Sequence, residues 1–246
     1  MALLPVATVN GAEPFITDDP KPEEPGHWEI NLASENFRTA EGWSGHIFHA
    51  DVSVGILPDL ELNFLAPLAY DAPAHGPTHV GYGDTELGFK YLLLKEKTSH
   101  VDIAFAPIVY LPTGNHHLDL GNGKAQLFLP FWLQKTFGKW TVYGGSGYTF
   151  NPGDVDNHDF WYAGLVVNRK ISEKLALGLE FFHFSPDKKG GISPTGLNFG
   201  IDYDFSEHYH LLAAAGHSIE GRSDFTGYLA LQITLGPDKK KEAVED

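Results

Sequence analysis

The chain has 246 residues, with 17 Lys and Arg against 32 Asp and Glu, a formal net charge of −15, no Cys and one Met. The missing Cys excludes a disulfide framework, thiolate metal sites and cysteine nucleophiles, and the acidic balance argues against a nucleic-acid partner. No apolar run reaches the roughly 18 residues of a spanning helix, so hydropathy alone describes a soluble chain.

Residues 2–9 (ALLPVATV) are small and apolar, and polar Asn10-Gly11-Ala12 follows. Residues 1–12 therefore read as a truncated signal-peptide remnant. Residues 13–26 (EPFITDDPKPEEPG) carry four Pro and five acids, a poor fit to any helix or central strand. They are expected to form a leader that lies in the periplasm or enters a lumen as a plug.

From residue 27 to 235 one pattern repeats: about ten residues of alternating polarity, then a turn. In residues 197–205 every odd position (Leu197, Phe199, Ile201, Tyr203, Phe205) is apolar or aromatic, and every even one is Asn, Gly or Asp. The same period of two marks residues 85–93, 60–68, 28–32 and 50–56. It predicts about twelve strands, near 27–38, 44–57, 60–70, 84–95, 100–111, 124–136, 139–150, 158–170, 173–185, 195–205, 208–218 and 224–235. Between residues 27 and 235 no amphipathic helix of three turns is expected, and so many strands on short links require paired edges. A charged tail, residues 236–246, follows the last strand.

Links after even-numbered strands are tight, as at Pro58-Asp59, Phe137-Gly138, Ile171-Ser172 and Ser206-Glu207. Links after odd-numbered strands are mostly longer and rich in Gly, Pro, His and Asp: 71–83, 112–123, 151–157 and 185–194. An up-and-down meander built this way puts its long loops at one end, as in outer-membrane barrels.

Alternation by itself fits a soluble barrel as well, with the faces reversed. The polar face decides between them. It mixes small residues (Gly88, Ala104, Ala106, Gly164, Gly178, Gly200) with scattered acids, where a water-exposed face would carry many Lys and Glu. Aromatics also gather at strand ends, as interfacial girdles do. Trp28, Trp140, Tyr203, Phe205 and Tyr209 lie toward the short-turn end; Trp43, Tyr70, Tyr110, Tyr148 and Phe150 lie toward the long-loop end. The predicted fold is an all-β, up-and-down antiparallel transmembrane β-barrel with both termini periplasmic.

Three segments carry a resemblance. Phe15-Ile16-Thr17-Asp18-Asp19-Pro20 is followed by Gly26-His27-Trp28-Glu29-Ile30-Asn31, then by Gly81-Tyr82-Gly83-Asp84-Thr85-Glu86-Leu87-Gly88-Phe89-Lys90-Tyr91. Together with Leu111-Pro112-Thr113-Gly114 they resemble the outer-membrane transporter family labelled "MetA-pathway of phenol degradation", over about residues 14–235. The resemblance implies a barrel in a Gram-negative outer membrane that passes small organic, often aromatic, compounds. Membrane lipid, a small-molecule solute and the outer-membrane assembly machinery are the partners it implies. Barrels of this kind commonly end on an aromatic residue, whereas the last predicted strand ends at Leu235.

Parity places Glu29, Asp51, Glu61, Glu86, Lys90, Asp102, Glu180, Asn198, Asp202 and Asp204, with Glu35, on the inner face as candidate lumen-lining residues. Acids outnumber bases among them, which favours cations or neutral polar solutes. A hydrogen-bonded plug that merely closes the barrel is the alternative use of the same groups. His75, His79, His116 and His117 with Asp119, and Asp154, Asp156 and His158, fall on or near the predicted long loops and read as solvated polar residues rather than metal ligands. Ser44 with His46 and His49, and His217 with Ser218, lack any nucleophile-elbow motif. No catalytic residue, cofactor or metal is therefore predicted. A closed structural or adhesive barrel, or a lipid-modifying enzyme, are the competing functions.

Overall fold

A computed structural model describes residues 14–153, 155–221 and 224–237. The predicted signal-peptide remnant, and the tail beyond Pro237, lie outside the described residues. Alternating sequence becomes strand throughout: β1 (Trp28–Thr39), β2 (Gly42–Leu57), β3 (Leu60–Pro73), β4 (His79–Tyr82 continued by Thr85–Leu94) and β5 (Asp102–Phe105 continued by Ile108–Leu111). Then come β6 (Gln126–Phe137), β7 (Trp140–Phe150), β8 (Phe160–Lys170), β9 (Leu175–Phe184), β10 (Thr195–Asp204), β11 (Tyr209–Glu220) and β12 (Phe225–Leu235). Among the described residues the helical elements are one turn, Glu96–Ser99, and a short 3-10 segment, His116–Leu118. Neither is long or apolar enough to cross a membrane.

Each strand pairs antiparallel with its chain neighbours, and β1 pairs with β12 from Trp28 opposite Leu235 to Arg38 opposite Phe225. The sheet is thus a closed barrel of twelve strands with no free edge. In two of the tight turns Asp59 (φ 69°) and Gly138 (φ 62°) occupy the left-handed region, where Gly and Asp are at the least disadvantage.

Two strands are interrupted, and proline is the reason. Pro67 on β3 has no N–H for the ladder; its carbonyl accepts from Gly83 N at 3.1 Å, where β4 breaks. Pro107 divides β5 in the same way, and its carbonyl takes Phe89 N at 3.3 Å. The break in β4 shifts the alternation: Val80 and Tyr82 face outward before it, Leu87, Phe89 and Tyr91 after it. The predicted loop 71–83 is accordingly mostly strand. β3 runs on to Pro73 and β4 begins at His79, since Tyr70 and Asp71 find partners in Val80 and His79.

The barrel wears its polarity inside out. Leu62, Phe64, Leu165, Leu179, Phe181, Phe199 and Leu229 are exposed, while Glu29, Asn31, Glu61, Gln134, Glu180, Asn198 and Gln232 are buried. So broad an apolar surface far exceeds the few hundred Å2 that soluble monomers expose. An 11-residue strand such as β8 spans roughly 36 Å, or about 25 Å of height at a 45° tilt, the apolar band of a transmembrane barrel. Trp28, Trp140, Phe205 and Tyr209 stand exposed near the short-turn end, and Trp43, Tyr148 and Phe150 near the other. Tyr110 leaves the predicted girdle: it pairs with Glu86 on the inner face, in phase with Ala104 and Ala106.

Candidate functional site: the lumen and its leader segment

Inward-facing glycines open a slot in one wall. Gly178 on β9 and Gly200 on β10 are register partners, and a Cβ on either would run into the Phe15 ring. A Cβ on Gly164 of β8 would strike Thr17 and the Tyr162 hydroxyl. Residues 15–17 of the leader therefore lie against bare backbone, which no larger side chain would permit.

Glu180 fastens the leader there. Its carboxylate is fully buried and accepts from Thr17 N at 2.7 Å, Thr17 Oγ1 at 2.6 Å and Ile16 N at 3.3 Å. Asn198 Nδ2 donates to it at 2.6 Å and the Tyr162 hydroxyl at 3.1 Å. A buried carboxylate is tolerated when its lone pairs are met in this way. Asn198 is oriented in turn by Thr226, whose hydroxyl donates to its Oδ1.

The leader then crosses to the opposite wall. Lys90 on β4 holds Asp18 in an ion pair at 3.0 Å, Glu61 on β3 accepts from Glu23 N at 2.7 Å, and Gly26 N donates to Gly55 O of β2 at 2.8 Å. Two leader carboxyls titrate high. Burial is the main cause for Asp19, pushed up to about 6 against the opposing pull of Lys90. Glu23 is pushed up to about 7 by burial and then by the negative charge of Glu61. A cavity of ≈ 70 Å3 remains between the leader and the wall, lined by Pro14, Phe15, Glu35, Thr226 and Tyr228.

Apart from Glu35, the sequence-predicted lumen residues fall in four places. Glu61, Lys90, Glu180 and Asn198 hold the leader or the group that holds it. Glu29 and Asp51 belong to wall networks: Asn31 donates to Glu29 at 3.0 Å, and Asn63 to Asp51 at 2.5 Å. Glu86 lies opposite Tyr110. Asp102, Asp202 and Asp204 sit toward the short-turn rim. Asp102 accepts from Glu96 N at 2.6 Å, steadying the helical turn, and Asp204 meets His210 at 2.5 Å.

Sequence reasoning counted small inner-face residues without seeing what they made room for; the in-register pair Gly178 and Gly200 was the available signal. The resemblance-bearing segments also meet in space. Lys90 binds Asp18, and Asp84 accepts from Gly114 N at 2.9 Å and from Asn122 N at 2.7 Å. Thr113 Oγ1 donates to Gly83 O at 2.8 Å, so the external loop 112–125 is tied to the break in β4. The His217 ring addresses the Ser218 backbone carbonyl at 2.6 Å.

A family model described as "Putative MetA-pathway of phenol degradation" matches residues 26–233. No curated protein matches the chain. Among solved structures the chain is similar to the COG4313 outer membrane channel from Pseudomonas putida F1, at 16% identity and a TM-score of 0.72, covering 88% of this chain and 98% of that one. It is also similar to the NanC porin (9% identity, TM-score 0.62, 84% and 100% covered). A third likeness is to the CymD monoaromatic hydrocarbon channel (9% identity, TM-score 0.51, 87% and 90% covered). At these identities the likenesses establish the fold.

Proposed function

The chain belongs to the family of the MetA pathway of phenol degradation, and on that premise we propose that it is a Gram-negative outer-membrane channel passing small organic solutes by facilitated diffusion. The observation that carries this reading is a polar lumen, closed off from lipid, in which a separate segment occupies the path. The ≈ 70 Å3 left beside the leader is about half of the roughly 150 Å3 that takes up benzene in a protein interior. That cavity does not admit an aromatic ring while residues 14–16 line it, and in this reading the leader is a plug that shifts to let the solute pass. The CymD likeness supports aromatic solutes as the class, and the excess of lumen acids over Lys90 favours neutral or cationic ones.

In this reading Glu61, Lys90, Glu180 and Asn198 set the closed state, while Glu29, Asp51 and Glu86 line the path. The barrel reaches its membrane through the outer-membrane assembly machinery and carries out no bond-making chemistry. Planar-bilayer recording and liposome swelling with phenol test the proposal. Small, cation-preferring currents and phenol entry are expected, both rising when residues 14–18 are replaced by Gly and Ser. A barrel silent in both assays, with and without that replacement, is a closed structural one.

A further inference from the structure

A second lumen cluster lies toward the long-loop end, on β1 and β2. Glu35 and His46 are register partners, and Ala33 pairs with His49. Strict alternation would send His46 and His49, three residues apart, to opposite faces. A β-bulge prevents this. Against β3 the register steps from His46–Ala69 to Phe48–Leu68, and Ile47 and Phe48 both stand exposed on the outside. Ser34 Oγ donates to the His46 carbonyl at 3.1 Å, holding the bulge from β1. Bulges re-aim side chains in this way next to functional sites.

Both imidazoles consequently face Glu35. His46 Nδ1 is 3.1 Å from His49 Nδ1 and 3.7 Å from Glu35 Oε2, and one ligand atom from each of the three residues lies within 4.8 Å of the others. His49 is buried, and Glu35 opens onto the ≈ 70 Å3 cavity. Two ring nitrogens at this distance need a positive centre between them, either the proton of one ring or a cation. Tetrahedral zinc, with bonds of about 2.0–2.1 Å, sets its ligand atoms about 3.3–3.4 Å apart. The two separations here bracket that value.

We infer that Glu35, His46 and His49 form a lumen binding site for a borderline divalent transition-metal ion of the Zn2+ or Cu2+ class, with its open coordination position toward the cavity. Two imidazoles and one carboxylate, with a fourth position open, are a donor set that holds zinc in enzymes, and copper accepts the same nitrogens. The ion takes the place of the proton between the rings; that ring carries its proton on Nε2 instead, and a proton held by Glu35 leaves to solvent as the carboxylate coordinates. Binding ties β1 to β2 beside Pro14 and Phe15, whatever solute the barrel passes. The cluster Asp202, Asp204 and His210 differs, because it has one imidazole and spends it on Asp204 at 2.5 Å. It serves as the control.

The full chain, folded in detergent micelles and stripped with a chelator, is titrated with Zn2+ by calorimetry and loaded with Cu2+ for electron paramagnetic resonance. One saturable equivalent and a copper spectrum with two imidazole nitrogens are expected. His46→Gln and His49→Gln should each weaken zinc by more than about 100-fold, beyond what losing an outer-shell partner costs, and His210→Gln should leave it unchanged. Electrophoretic heat-modifiability verifies that each variant is folded. Absence of saturable binding, or binding untouched by both His substitutions, overturns the inference. Should those variants fail to fold, a copper spectrum of the unaltered chain with fewer than two nitrogen ligands overturns it as well.

Discussion

On the wall made by β8, β9 and β10, leader residues 15–17 are held by shape and by one fully buried carboxylate. On the wall made by β2, β3 and β4, residues 18–26 are held by an ion pair, one side chain–backbone bond and one backbone bond. Glu180 has no exposed surface, whereas the Asp18 side chain keeps 41% of its own. The first contact is dry and specific, and salt barely reaches it. The second sits in a wetter, net acidic space and answers to ionic strength and pH. One strong anchor and one adjustable clasp suit the plug proposed above, a segment that leaves its place without leaving the barrel.

The largest effect is expected at the dry wall. Glu180→Ala removes the shared acceptor and strands two leader N–H groups, at a cost of about 3 kcal/mol or more. Leader docking should fail, protease should cut within residues 14–18, and single-channel current should rise several-fold. An uncut leader with unchanged current would overturn the anchor.

A smaller effect is expected across the lumen. Lys90→Met breaks the Asp18 pair, worth about 1 kcal/mol for a partly exposed pair. The variant's current should exceed the parent's at 0.05 M salt (about 14 Å of screening length) and converge with it at 1 M, where screening falls to about 3 Å. Equal currents at both ionic strengths would show that the ion pair does not hold the leader.

The smallest effect is a pH dependence. Docking raises Glu23 from its ordinary value to about 7 and Asp19 to about 6, so the docked state binds protons more tightly than the released one. Their contribution to docking is fully present below the ordinary carboxylate range. It is lost as pH climbs through about 6 and then 7. Current should therefore increase modestly from pH 4.5 to 7.5, and Glu23→Gln should flatten the upper part of that rise. A current that falls over the same interval contradicts the assignment.

Much of this was legible in the chain. The period-two alternation of residues 197–205 gave both the strand β10 and the face on which Asn198 and Asp202 lie, because side-chain direction in a strand follows position alone. It also removed the soluble appearance of the composition, since outward Leu and inward Asp cancel in any average. The turn lengths set which end carries the loops, and the strand count followed. Where alternation was broken, legibility ended. Pro67 and Pro107 interrupt β4 and β5 through bonds to strands elsewhere in the barrel, and the bulge at Ile47 brings His46 and His49 to one face against the local rule.

The sequence by itself determined the barrel, its polarity and the inner-face list, because each of these depends on neighbours in the chain. Only the tertiary structure decided which inner residues work together. Thr17 and Glu180 are 163 positions apart, and Lys90 and Asp18 are 72 apart. Such pairs come together only through the closure of β1 onto β12 and the path of the leader across the lumen. Periodicity reports which way a side chain points; it carries no record of what arrives from the other side of the barrel to meet it.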